Sequence, residues 1–249
     1  MKTKGQMTFW EHIEELRWTI FKIIGTLVVT TILGLFLSDM ILKLFLLPIE
    51  IIKERYPEFI VQQILTNPFD GVIIKLKAAL MGGIILAYLP VFYFVWQYVK
   101  PALKNNEKKV FFWAGIVGTL FFITGIICGY LVITPMLFAL LKFGISSAEN
   151  LWAVREFVSF VFYWLLGAGI IFELPLLMFV LCSLGIIKII TLKKLRAYFY
   201  VGAFIFAAVA TPSTDPFSML LVAIPLLVLY EISIFVISIL DKKSNRVDD

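Results

Sequence analysis

Residues 18–37 read WTIFKIIGTLVVTTILGLFL. The stretch carries one charge, Lys22, and is long enough to cross a bilayer, whose hydrocarbon core of about 30 Å takes about 20 helical residues. Five further apolar stretches follow, at about 72–99, 110–134, 157–184, 195–210 and 217–240. The whole chain of 249 residues is 61% hydrophobic and 16% charged, with a mean hydropathy of +0.97. That leaves too little polar surface for a water-soluble domain. The sequence therefore predicts an all-α polytopic membrane protein, with residues 1–249 forming one integral membrane domain of six transmembrane helices. The second and fourth spans exceed the core thickness and are expected to tilt or extend beyond it. The fifth rises only about 24 Å, which predicts local bilayer thinning or a sunken hairpin. Its face AYFYVGAFIF suits either a partner's single-span helix or lipid.

Basic residues set the orientation. With the N-terminus in the cytoplasm, the inner segments hold Lys2, Lys4, Arg17 and Lys22, then Lys100, Lys104, Lys108 and Lys109, then Lys188, Lys193, Lys194 and Arg196, then Lys242, Lys243 and Arg246, which is most of the 22 Lys and Arg. Both termini are expected to be cytoplasmic. Residues 1–17 lack the apolar run and small-residue site of a cleavable signal. The outer connection, 38–71, is too apolar for a solvated loop. With Pro48, Pro57 and Pro68 as punctuation, it is expected to form short capping helices, as is 136–156.

Composition also excludes chemistry. The net charge of +5 reflects cytoplasmic Lys and Arg, so nucleic acid is not the expected partner. His12 alone builds no multi-histidine metal site, and Cys128 and Cys182, both in apolar runs, read as packed thiols. There is no G-x-x-x-x-G-K-[ST] phosphate loop. No catalytic residue, metal or cofactor is expected.

The charged exception is TFWEHIEELRWTIFK, residues 8–22. Thr8 and Glu11 fit a capping box, and the helix it opens places Phe9, Ile13 and Leu16 on one face, with Glu11, Glu15 and Glu14 opposite. Arg17, three residues after Glu14, is placed to pair with it. One reading is a solvated acidic face serving the helix dipole. The other is a binding site: acids near anionic headgroups need an offset, and a guanidinium, which meets a carboxylate through two parallel hydrogen bonds, supplies one. Glu107, the only acid in KPALKNNEKK, has the same two readings, as a first-turn dipole partner or as a second carboxylate at the same membrane face.

Together these segments resemble the TatC family, the multispanning receptors of the twin-arginine protein translocase. HIEELR at 12–17 resembles its H-L-x-E-L-R signature, and VWQYVKPALKNNEKK its first cytoplasmic loop. FELP at 172–175 resembles its fourth-helix motif, and TPSTDPFSMLLVAIPLLVLYEISIF its outer turn and final helix. The resemblance runs in order from about residue 8 to 236. It implies a concave, glove-like arrangement of six helices in the inner membrane of a prokaryote. It implies binding of twin-arginine signal peptides of folded precursors by Glu15 and Glu107, with Arg17, Leu16 and Tyr98 at the same site. It also implies single-span partners of the TatA and TatB types, self-association, and drive by the proton gradient. Pro48 and Asp215 match family positions on the outer side. Thr19 stands where the family often has a second basic residue, and Phe94 where it often has Gln, which leaves the partner of Glu173 open, with Gln97 a candidate.

Glu173 itself falls in mid-span, where a carboxylate is costly and faces a cavity or partner; a structural hydrogen bond between helices is the other reading. Pro175 frees the Ile171 carbonyl and is expected to kink the helix. Glu231 reads as structural. A proton-coupled small-solute transporter using Glu173 and Glu231 is the rival class. It needs a chain of polar groups across the bilayer, and the sequence offers isolated ones and no internal repeat.

Overall fold

A computed structural model describes residues 9–57, 61–102, 105–143, 150–183, 185–210 and 216–244. The chain runs α1 (Phe9–Arg55), β1 (Val61–Ile64), α2 (Asp70–Val99), a 3-10 turn (Lys100–Ala102), α3 (Asn105–Phe143), β2 (Asn150–Ala153), α4 (Val154–Phe172), α5 (Leu174–Ser183), α6 (Ile189–Lys194), α7 (Arg196–Ala210) and α8 (Pro216–Ser244). Among the described residues, four helical segments are long and apolar enough to cross a membrane, and α7 and α8 add shorter apolar stretches. The protein is a predominantly helical, multi-pass membrane protein. α1 packs on α2, α3 on α4, and α8 on both α5 and α7. One end of the bundle carries the two short strands; the other carries the start of α1.

Where the sequence predicts short capping helices over 38–71, the structure continues α1 without a break to Arg55. Its 47 residues span about 70 Å, more than twice the hydrocarbon core. Pro48 does not end it. A proline removes the hydrogen bond to the carbonyl four residues earlier, here Leu44. The Tyr130 hydroxyl of α3 donates to that carbonyl at 2.8 Å, so the freed acceptor is satisfied and the buried Pro48 stays in the helix. α3 likewise passes Pro135 and runs to Phe143. β1 and β2 pair in parallel, Val61 opposite Asn150 through Ile64 opposite Ala153.

α1 and α2 form the closest helix pair. Thr30, Gly34 and Ser38, each four residues apart, are buried on α1 against Ala79, Gly83 and Ala87 of α2. A Cβ on Gly34 would lie 2.2 Å from the Ala79 carbonyl oxygen, so the backbones touch only because that position is glycine. Apolar lipid gives no hydrophobic drive between helices, and small-residue stripes supply close packing instead. The hydroxyls of Thr30 and Ser38 bond back to the carbonyls of Thr26 and Leu35, at 2.9 and 2.7 Å, leaving no orphan polar atom in the seam.

The main core lies toward the strand end. Phe45, Ile49 and Ile52 of the extended α1 meet Ile133 and Leu137 of α3 and Val158 and Val161 of α4. A two-point carboxylate clasp closes this end. Asp70, fully buried, accepts at Oδ2 from the Thr66 N–H, the Thr66 hydroxyl and the Asn67 N–H, at 3.1, 3.1 and 2.9 Å. Its Oδ1 faces Arg155 Nη1 at 3.3 Å. The corner between β1 and α2 is thereby tied to the corner between β2 and α4.

Candidate functional site

The opposite end gathers the start of α1, the end of α2 and the start of α3. His12 stacks on Tyr98, with ring centroids 4.5 Å apart. Lys22 lies 5.9 Å from the Phe94 ring centroid. Phe92 stacks on Phe111, and Trp96 meets Phe112 edge-on. These contacts fix the three helix ends as one aromatic cluster, and they put the helical turns bearing Glu15 and Glu107 at the same end of the bundle. Glu107 lies in the first turn of α3; its side chain is outside the described residues.

Glu15 is half-buried. Its Oε2 is shielded from solvent and has no hydrogen-bond partner. The indole N–H of Trp96 at this end is in the same condition. An unsatisfied buried polar atom costs about 1–3 kcal/mol, and among the described residues the buried side-chain atoms left without a partner are these two, an acceptor and a donor. Sequence reasoning had no signal for Trp96, because the indole's lack of a partner depends on how α2 and α3 pack.

The neighbours of Glu15 are also set by geometry. Thr19, where the family pattern suggests a base, is buried, and its hydroxyl donates to the Glu15 carbonyl at 2.8 Å. Arg17 is exposed and places its guanidinium over the Phe21 ring at 5.7 Å; no ion pair to Glu14 forms among the described residues. Leu16 and Ile13 are 40% and 42% exposed, so the apolar face expected of this segment is open rather than packed. Lys100 sits over Trp96 at 4.6 Å.

Glu173 occupies the single residue between α4 and α5. The break follows from Pro175, as expected, and the Glu173 N–H bonds to the Ile170 carbonyl at 3.1 Å, a tighter turn than α-helix. The partner of Glu173 is Tyr88 of α2, not Gln97: the Tyr88 hydroxyl donates to Oε1 at 2.6 Å. Gly118 of α3 makes room for the pair. A Cβ there would come within 2.7 Å of the Tyr88 oxygen and 3.0 Å of Glu173 Oε2. Glu231 of α8 accepts from Arg196 at 2.8 Å and from Tyr200 at 2.5 Å, which pins α7 to α8. Each carboxylate has its own local partners.

Pro48 lies buried at the strand end within α1, and Asp215 lies outside the described residues. Cys128 and Cys182 form no disulfide with each other.

The family model described as Sec-independent protein translocase protein (TatC) matches residues 11–225. A TatC of Carboxydothermus hydrogenoformans is 32% identical over 238 residues, covering 95% of each chain. A TatC of Aquifex aeolicus is 31% identical over 244 residues, covering 97% of this chain and 99% of the relative. Among solved structures, a crystal structure of the twin arginine translocase receptor TatC in DDM aligns with a TM-score of 0.77 at 32% identity, covering 90% of this chain and 98% of that one.

Proposed function

The chain belongs to the TatC family of Sec-independent protein translocase proteins, and from that premise we propose that it is the signal-peptide receptor of a twin-arginine translocase. Its family is one of protein translocase proteins. In this reading the aromatic end of the bundle is the cytoplasmic docking site. Glu15 and Glu107 take the paired arginines of a precursor's signal peptide, Arg17 and Leu16 flank them, and Tyr98, held by His12, forms one wall. The domain spans 1–249 and crosses the inner membrane of a prokaryote six times, with both termini in the cytoplasm.

The observation that carries the proposal is the unpartnered Oε2 of Glu15 at the end that also bears Glu107. A buried acceptor with no donor is a standing cost that a guanidinium removes, by a charge-assisted, two-point bond that an ammonium cannot reproduce. Partners follow from the same setting. Glu173, at a helix break in mid-molecule, and the exposed face of α7, with Tyr198, Val201, Ile205 and Val209, suit single-span helices of the TatA and TatB types. Further copies of the chain complete the assembly, and the proton gradient drives it.

The test is binding of a twin-arginine signal peptide to the purified, full-length protein. Replacing both peptide arginines with lysine is expected to weaken binding by tenfold or more. Glu15→Ala and Glu107→Ala are each expected to cost about tenfold, since one charge-assisted hydrogen bond is worth about 1.5–3 kcal/mol. Affinity indifferent to all three changes would defeat the receptor reading.

A further inference from the structure

We propose that the strand-end half of the molecule holds one anionic phospholipid, its phosphate on Lys77 and an acyl chain in the apolar groove between α4 and α8. The first observation is a charge without a counter-charge. Near Lys77, Lys75 meets Asp39 at 2.9 Å and Arg155 meets Asp70 at 3.3 Å. Lys77 is half-buried on α2, yet no carboxylate is within ion-pair reach among the described residues. Its contacts are neutral: it donates to the Ser159 hydroxyl, and its Nζ lies 5.6 Å from the Tyr163 ring centroid. Ser159 spends its own proton on the Arg155 carbonyl at 2.6 Å. An ammonium has three donors, so two remain for an anion. Lys77 is about 10 Å along α2 from Asp70, a depth from which a lysine stem reaches the headgroup level. A cation so placed in a membrane protein calls for an anionic partner.

The second observation is the groove. A cavity of about 370 Å³ opens between α3, α4, α7 and α8, lined by Val132, Phe160, Tyr163, Gly167, Phe206 and Val222 among others. Tyr163 belongs to both features: one side of the groove and the ring beneath Lys77. At Gly167 a Cβ would meet nothing within 4 Å, so the floor there is open. A single hydrocarbon chain is slender enough to enter a slot of this volume. A polar anchor continuous with an apolar slot matches an amphiphile with a phosphate at one end.

The experiment titrates the purified, full-length protein with phosphatidylglycerol or with phosphatidylcholine of the same chains, and counts bound lipid by native mass spectrometry. The protein is expected to hold phosphatidylglycerol about tenfold tighter, the scale of one charge-assisted hydrogen bond. Lys77→Gln should bring it to the phosphatidylcholine level, Lys77→Arg should keep the preference, and Gly167→Leu should weaken both lipids. Inorganic phosphate should not displace the lipid. Equal affinity for the two lipids, or an anionic preference that survives Lys77→Gln, overturns the proposal. So does displacement by inorganic phosphate with Gly167→Leu silent, which assigns the lysine to free phosphate. A photo-crosslinker at position 167 that captures a protein helix instead of lipid in native membranes also overturns it.

Discussion

The two ends of this bundle treat their buried carboxylates in opposite ways. At the strand end, fully buried Asp70 has both oxygens engaged, and even the carbonyl freed by Pro48 is taken up by Tyr130. At the other end a carboxylate oxygen and an indole N–H are buried without partners, and Trp10, Trp18 and Phe21 stand exposed. The first pattern is what stability requires, since a buried polar group earns its place only when bonded. The second leaves bonding capacity unmet. The difference teaches that the strand-end half of α1 and the strand pair act as a frame that holds the loosely satisfied end in position.

The strongest way to break this comparison is to cut the clasp. Asp70→Ala removes the acceptor for three donors and leaves Arg155 without its counter-charge. Breaking a buried charge pair from one side costs about 3–5 kcal/mol, although the partly exposed Arg155 puts the effect at the lower end. Thermal unfolding in detergent should show a large loss, while the molecules still folded keep their affinity for signal peptide. Equal loss in both measurements would mean that the ends are not separable.

Next in size is the seam between α1 and α2. Gly34→Ala sets a methyl 2.2 Å from a backbone oxygen, which cannot rotate away. The helices must part, at a cost of about 1–3 kcal/mol. Gly25, on the same helix, has nothing within 4 Å of its virtual Cβ, so Gly25→Ala should be neutral or stabilising by up to about 1 kcal/mol. Unfolding curves that place both variants together would refute the close-packing account. A smaller effect belongs to mid-molecule: Tyr88→Phe deprives Glu173 of its donor and should cost about 1 kcal/mol, with Tyr88→His, which keeps a donor, restoring part of it.

These contrasts also show what the sequence makes legible. The helical passes are readable because an apolar run of 20 residues has few other uses, and Pro175 marks the break beside Glu173. The length of α1 is not, because Pro48 reads as a stop until Tyr130, 82 positions away, is seen to satisfy Leu44. The strands escape notice because four residues each are too few for a period-two pattern. The seam is written in plain view as Thr30, Gly34, Ser38 and Ala79, Gly83, Ala87, but small residues at fourfold spacing are hard to separate from ordinary apolar sequence without knowing which helix lies opposite. Glu15 is conspicuous as an acid at the start of a span. The Glu173–Tyr88 pair is not, since it needs the space at Gly118, a contact among three helices that no local pattern encodes.

The smallest expected change in stability is the most pointed. Glu15→Ala deletes one of the unpartnered buried atoms, so folding should lose nothing and can gain up to about 1 kcal/mol. Affinity for a twin-arginine peptide should fall about tenfold in the same preparation, the loss of one charge-assisted bond. Thr19→Val, beside it, removes only the hydroxyl that bonds back to the Glu15 carbonyl and should leave affinity within twofold, roughly the scale of a solvent-side adjustment. If Glu15→Ala instead destabilises the protein by as much as Asp70→Ala, the carboxylate is a structural member whose partner forms in the membrane. The contrast between a saturated frame and a receptive end then fails at its most important residue.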